Sequence, residues 1–170
     1  DATHPFASII SSDLFSVCKE LDQPLLRYER FVDLPKHVRL LKDSSELEFI
    51  SFEARNLLFA IGARHLREAA FFARTSGANV FARVLPSPEN LRLASAALIP
   101  DEKVAVFDPL IGENPGLYEA AICKKWAITD VVCRQSGGVT QKLWQIISFN
   151  QSINLWMLSR PGFGFSAEVV

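Results

Sequence analysis

Short apolar runs recur along the second half of the chain at near-constant spacing. They begin at Leu57 (LLFAI), Val80 (VFARV), Val104 (VAVF), Asp130 (DVVC) and Asn154 (NLWML), so successive starts lie 23, 24, 26 and 24 residues apart. Each run is short, rich in β-branched and aromatic residues, and apolar without alternation, the pattern of strands covered on both faces. Each interval holds one helix-sized segment. Strands alternating with helices predict βα units, hence an α/β fold around a mostly parallel sheet. No internal sequence repeat underlies the rhythm, so it is architectural and not that of a solenoid.

The intervening segments carry helix signals of their own. Ser87-Pro88-Glu89 offers a capping serine, a proline at the first helical position and an acid in the first turn. Asn114-Pro115 repeats that logic ahead of residues 117–126, where Lys124 and Lys125 suit the negative end of the helix dipole. Leu66, Ala69, Ala70 and Ala73 make an apolar stripe closed by Gly77, and Val139, Leu143, Ile146 and Ile147 make another. An additional strand is expected at Val38–Leu41 and a helix over residues 44–54, after a hinge at 31–35.

The first 34 residues differ. Phe6, Ile9, Ile10, Leu14, Val17, Cys18 and Leu21 form an amphipathic helical face, started by His4-Pro5, and residues 24–28 read as a strand. A helix followed by a strand, with no strand before it, reads as the end of a separate unit. The chain is therefore expected to divide into 1–34 and 35–170.

Composition narrows the function. The 170 residues are 49% hydrophobic and 22% charged, which supplies a packed core and excludes a disordered tail. The net charge of −1 gives no global argument for nucleic acid. Cys18, Cys123 and Cys133 are too few and too scattered for a disulfide framework, so free thiols in a reducing compartment are expected. No apolar run approaches the roughly 20 residues that cross a bilayer. No charged-then-apolar leader is seen, and the expected location is cytoplasmic.

In open parallel sheets the strand C-termini share one edge, and ligands bind there. Gly62-Ala63-Arg64-His65 follows the first of the regular runs, Arg83 lies at the end of the second, and Asp108-Pro109 follows the third. Arg134-Gln135-Ser136-Gly137-Gly138 follows the fourth, with Lys142 a turn into the next helix, and Arg160-Pro161-Gly162 follows the fifth. Glycine lets backbone N–H groups approach an anion, and arginine pairs with carboxylates or phosphates through two parallel bonds. Together Gly62, Arg64, Arg83, Arg134, Ser136, Gly137, Gly138, Lys142 and Arg160 suggest a small polyanion as ligand. Taken singly, each glycine turn is ordinary punctuation and each arginine an ordinary ion-pair residue. Ser136-Gly137-Gly138 is not a Walker A loop, because Gly-Lys-Ser/Thr is absent.

Asp1, Thr3 and His4 form a second candidate. Such a turn would hydrogen-bond a cofactor sugar or phosphate, with His4 able to donate a proton near neutral pH. The alternative is a helix cap with Pro5 at the first helical position. His37 and His65 lack a partner at metal-ligand spacing, and no metal site is expected. No GxSxG signature marks a hydrolase. Phe71, Phe72, Trp126, Trp144 and Trp156 read as packing residues.

At this point the motifs resemble those of the precorrin-6A reductase (cobalt-precorrin-6A reductase) family. DATHPFA at 1–7, PLLRYER at 24–30, IGAR at 61–64, RVLP at 83–86, Ser136-Gly137-Gly138 with Lys142, and Arg160-Pro161 stand in that family's order along nearly the whole chain. DATHPFA is the specific motif; the others are individually weak. Two departures stand out. Arg134 occupies a position where the family often has lysine, and Asp108-Pro109-Leu110-Ile111-Gly112 replaces a common Gly-Pro-Phe run.

The resemblance implies two Rossmann-like three-layer αβα domains with a mostly parallel sheet, cofactor and substrate lying in the cleft between them. It also implies an opening strand and a glycine-rich phosphate loop upstream of DATHPFA. The chain is thus expected to be the later part of such an enzyme. Residues 1–34 would be the tail end of the NADPH-binding domain and 35–170 the second Rossmann-like domain. The implied reaction is NADPH-dependent reduction of a C=C bond of a polycarboxylate tetrapyrrole in cobalamin biosynthesis. Asp1, Thr3 and His4 would then serve the cofactor, His4 also as proton donor. Gly62, Arg64, Arg83, Ser136, Gly137, Gly138 and Lys142 would serve the substrate. The fragment is expected to be inactive alone. A homodimer is expected as a way to cover an exposed sheet edge. The competing readings are a non-catalytic tetrapyrrole- or nucleotide-binding module and a tetrapyrrole-cyclising lyase.

Overall fold

A computed structural model describes residues 6–26, 34–109 and 113–161. Six strands form one sheet: β1 (Val38–Leu41), β2 (Asn56–Ala60), β3 (Asn79–Val84), β4 (Val104–Val106), β5 (Asp130–Arg134) and β6 (Asn154–Leu158). Every pairing is parallel, in the order β1-β6-β5-β2-β3-β4. The α/β class and the strand positions expected from Val38 onward hold, including the additional strand at Val38–Leu41.

The helices are α1 (Ser8–Glu20), α2 (Leu66–Thr75), α3 (Pro88–Ala96), α4 (Leu117–Lys125) and α5 (Val139–Gln151). Alternate side chains of each strand enter opposite layers. Leu57, Phe59, Val80, Ala82, Val132 and Trp156 pack with Ala69, Ala70 and Ala73 of α2 and Ala94 of α3. Leu58, Phe81, Val131, Cys133 and Met157 pack with Cys123 of α4 and Trp144 and Ile147 of α5. Burying each large apolar side chain contributes roughly 1.5–3 kcal/mol. This double coverage explains why the strand runs do not alternate.

Local signals mostly held. Ser87 Oγ accepts from Asn90 N at 3.2 Å and caps α3. Gly77, at φ +89°, follows the end of α2 as expected. Several expectations need correction. Residues 44–54 form only a 3₁₀ turn, Ser44–Phe49, started by Asp43, which accepts from Ser45 N. It stops because Phe52 N donates to Ser76 O at 2.9 Å and draws the chain out toward β2. The cap of α4 is Gly116 and not Asn114. A Cβ on Gly116 would stand 3.1 Å from Leu143 Cδ2 and 3.2 Å from Ile147 Cδ1, so close approach of α4 to α5 requires glycine there.

The buried face of α5 is also rotated from the expected stripe. Leu143 and Ile147 are buried, but Val139 and Ile146 are exposed, while Gln141, Trp144 and Ser148 are buried instead. The large Trp144 ring fills the space against the sheet and sets the helix's rotation. Trp144 and Trp156 are buried, and Trp126 stacks on Phe81 with centroids 5.0 Å apart. Phe71, expected to pack, is exposed.

The helix α1 forms as expected, yet Ile9, Ile10, Leu14, Val17 and Leu21 are exposed along it. Residues 24–26 carry no strand, and the rest of that expected strand lies outside the described residues. Among the described residues no helix is long and apolar enough to cross a membrane.

Candidate anion-binding crevice

The chain runs outward from β2 to β3 and β4, then returns to place β5 on the other side of β2. Connections therefore diverge between β2 and β5, and a crevice opens at their C-terminal ends, where sheets of this kind bind ligands. Gly62 and Arg134 face each other there. Gly62 has φ +88° and ψ 147°, a conformation open essentially to glycine alone. A Cβ at that position would lie 3.6 Å from Arg134 Nη2, so the guanidinium rests against bare backbone.

Arg134 is the last residue of β5 and is half-buried. Its Cζ lies 4.9 Å from the centroid of the Phe6 ring, just before α1. Burial pulls its pKa below the ordinary arginine value. It still stays protonated, because arginine starts so high. No carboxylate pairs with it among the described residues. His65 closes a 3₁₀ turn, Ala63–His65, and its N donates to Gly62 O at 3.4 Å. Burial lowers the His65 pKa, and the charges of Arg134 and Arg64 lower it further against the opposing pull of Glu68. The crevice thus sets a fixed cation beside an imidazole whose protonation the surroundings disfavour.

The turn after β5 is held rigidly. Gln135 N donates to Leu158 O at 3.0 Å, and Ser136 N donates to Arg134 O at 2.8 Å. Arg160 donates from its backbone N to Gln135 Oε1 and from Nε to Gln135 O, both at 3.1 Å. Gly137, at φ +66°, donates its N–H to Oε1 of the buried Gln141 at 2.8 Å. That N–H is already satisfied, whereas Gly138 caps α5 with no side-chain acceptor on the helix's first turn. The first turn of a helix carries free N–H groups and positive potential. Ser136 is half-buried beside it, and Lys142 is exposed a turn further on.

Not all the sequence-predicted residues meet in one place. Gly62, Arg134 and His65 converge, and residues 136–138 continue directly from Arg134. Arg64 instead lines an open groove of about 630 Å³ along α2, together with Arg67, Phe71, Arg74 and Leu98. Arg83 shares the face of Phe81 and so points into the α4/α5 layer, away from the Ala82 and Val84 side. Its Nη2 stands 3.8 Å from Oε1 of the buried Glu119, and its Cζ lies 5.1 Å from the Phe107 ring centroid. Arg160 is committed to Gln135. Asp1, Thr3 and His4 lie outside the described residues.

Sequence reasoning underweighted three groups. His65 was set aside for want of a metal-ligand partner, although it adjoins Arg134. Gln141 and Glu119 were not among the candidate residues. No local signal marks Gln141 or Glu119 as buried, since their partners come from other elements. No group of His, Cys, Asp and Glu among the described residues is arranged to hold a metal ion.

Fold and crevice together define an open parallel α/β protein with an arginine and a strained glycine turn at its switch point. Comparisons with known proteins narrow this class. All of residues 1–170 match the family described as "Precorrin-6x reductase CbiJ/CobK", and the chain belongs to that family. It is 30% identical to the cobalt-precorrin-6A reductase of Synechocystis sp., covering 95% of this chain and 62% of that protein. A protein of the same description from Methanocaldococcus jannaschii is 33% identical over 88 residues, 51% of this chain and 34% of that protein. The solved structure "CobK precorrin-6A reductase" shares the fold, with a TM-score of 0.72, 19% identity, and coverage of 98% of this chain and 65% of that one. The chain thus spans less than two thirds of the length of these relatives.

Proposed function

We propose that this chain is the substrate-gripping part of an NADPH-dependent reductase acting on a carboxylate-fringed tetrapyrrole, precorrin-6A or its cobalt form, in cobalamin biosynthesis. The family membership supports the reaction class. The observation that carries the substrate class is the half-buried Arg134 guanidinium lying against Gly62 at the switch point, with no carboxylate partner among the described residues. A charge withheld from neighbouring carboxylates and partly withdrawn from water binds an incoming carboxylate strongly. The free N–H groups at the start of α5, with Ser136, Gly138 and Lys142 beside them, would take a second acid group of the same ring. Arg64 and Arg83 would contribute from the flanks, Arg83 with its charge partly balanced by Glu119.

NADPH would supply the hydride to one carbon of a ring C=C bond, with a proton delivered to its neighbour. Among the described residues, the turn closest to a dinucleotide phosphate loop is Ser136-Gly137-Gly138. Its Gly137 N–H is already given to Gln141, so it does not fit a pyrophosphate. The cofactor is therefore assigned to Asp1, Thr3 and His4, with His4 as the proton donor. Phe6, two residues beyond His4 in the chain, lies over Arg134, which supports placing the two motifs around one ligand. This chain's own contribution is to hold the macrocycle by its acid groups in one orientation, and alignment of this kind accounts for a large part of catalysis.

The domain division belongs to the same proposal. Residues 1–34 end the cofactor domain, and 35–170 form the second. The exposed apolar residues of α1, outside a sheet whose first described strand starts at Val38, support that boundary. Uroporphyrin, a stable octacarboxylate tetrapyrrole, tests the substrate class through quenching of tryptophan fluorescence. The chain should bind it, and Arg134→Ala should weaken binding by about tenfold or more, as expected for a lost charge-assisted bond. Equal affinity of the variant, or equal binding of a tetracationic porphyrin, would remove the argument. In the full-length protein, Arg134→Ala should raise the KM for the tetrapyrrole more than that for NADPH.

A further inference from the structure

Arg83 and Glu119 form an unusual buried pair. The Arg83 side chain is 10% exposed and that of Glu119 2% exposed, and their nearest atoms, Nη2 and Oε1, are 3.8 Å apart. That distance gives attraction but no hydrogen bond. Arg83 Nε and Nη2 and Glu119 Oε2 are fully buried and bond to nothing among the described residues. The Phe107 ring lies against the guanidinium, and Tyr118 packs edge-on against Phe107 at 5.7 Å. Burial depresses the Arg83 pKa, and Glu119 and Asp108 oppose the shift.

Such a pair is a poor way to gain stability. Two charges lose their water, and the hydrogen bonds that would offset the loss are not made. An apolar pair of similar volume would hold β3 to α4 as well or better. Buried polar groups left unsatisfied call for another explanation, and a site that fixes a charge for a ligand provides one. Arg83 stands at the C-terminal end of β3, beside β2 and its Gly62 turn. Glu119 is itself fixed, because Gly116 seats the first turn of α4 directly on Leu143 and Ile147 of α5. Carboxylate and ring thus hold the guanidinium from two sides.

We infer that Glu119 is a positioning residue for Arg83: it anchors the guanidinium at the edge of the sheet so that it meets a carboxylate of the tetrapyrrole in one fixed orientation. The inference rests on the proposed substrate reading and extends it to a residue that touches no ligand. It makes a specific demand. Glu119 should matter for binding only while Arg83 is present.

A double-mutant cycle on uroporphyrin affinity reads this directly. Arg83→Ala should weaken binding about tenfold, the loss of one charge-assisted bond. Glu119→Gln should weaken it to a similar degree, and Glu119→Asp should retain most of the affinity. The double variant Arg83→Ala/Glu119→Gln should bind no more weakly than Arg83→Ala alone. A purely structural role would instead lower affinity in both backgrounds. If Glu119→Gln leaves Arg83 uncompensated and fails to fold, the double variant, which carries neither buried charge, and Glu119→Asp still complete the comparison. A further loss in the double variant overturns the inference, as does unchanged or tighter binding in Glu119→Gln or, where that variant does not fold, affinity in Glu119→Asp equal to that of the unaltered chain. A chain that binds no uroporphyrin, or Arg83→Ala with full affinity, overturns the substrate reading at this residue and the inference with it.

Discussion

The indole of Trp156 donates its Nε1–H to Oδ1 of Asp130 at 2.9 Å, joining β6 to β5 through two side chains that are both buried. Thr129 Oγ1 donates to the other carboxylate oxygen at 2.8 Å, and Arg55 Nη1 approaches Oδ1 at 3.4 Å. The carboxylate is satisfied on both oxygens at the end of the sheet opposite the crevice. Asp130→Ala would strand the indole N–H inside the protein. The expected cost is about 3 kcal/mol, seen as a lower urea midpoint with an unchanged slope. Ligand affinity in the folded variant should be unaffected, since the network lies at the far edge.

Gly62 should tolerate no side chain. At φ +88° and ψ 147°, Gly62→Ala would pay for its backbone rather than for space, because 3.6 Å to Arg134 is an ordinary contact. Destabilisation of about 1–3 kcal/mol is expected from thermal or urea unfolding. Uroporphyrin affinity should fall in the same variant as the turn beneath Arg134 shifts.

His65 predicts a pH dependence. Its folded-state pKa lies below the ordinary 6.5, first through burial and then through Arg134 and Arg64. The unfolded chain therefore binds the proton more readily than the folded one. Stability from this group is present above about pH 6.5 and is lost as pH falls toward the depressed folded value. His65→Gln should flatten that part of the Tm-against-pH curve. A bound polycarboxylate should oppose the loss, because nearby anions favour the imidazolium.

The thiols should differ in reactivity. Burial pushes the Cys123 thiol up to about 12, with Glu119 adding to the shift, and drives Cys133 upward as well. Neither should react with a thiol reagent in the native protein at neutral pH, because the thiolate is the nucleophile. The half-buried Cys18 on α1 should react first. Release of all three thiols at the native rate would show that the α4/α5 layer is not packed as described.

The parallel sheet was legible in the sequence because strands covered on both faces must be apolar at every position, and helices must fill the intervals. Ser87 and Gly77 were legible because caps and helix ends are satisfied by residues adjacent in the chain. The start of α4 was not. Gly116 is dictated by how near α5 comes, and α5 lies more than twenty residues further on. The same holds for Val139 and Ile146, which match a helical stripe but lose the buried face to Trp144.

Local pattern thus determined the strands of the sheet, the helices between them, their order and the edge where glycines and arginines collect, since those depend on backbone sterics and side-chain period. Only the tertiary structure decided which arginine is available. Arg134 comes to lie against Gly62 without a counter-ion among the described residues, Arg83 turns into the opposite layer to meet Glu119, and Arg160 is taken by Gln135. Charge is written in the sequence, but the free energy of a charge depends on what lies within a few ångströms of it. That neighbourhood is set by strand order and by the face each residue presents.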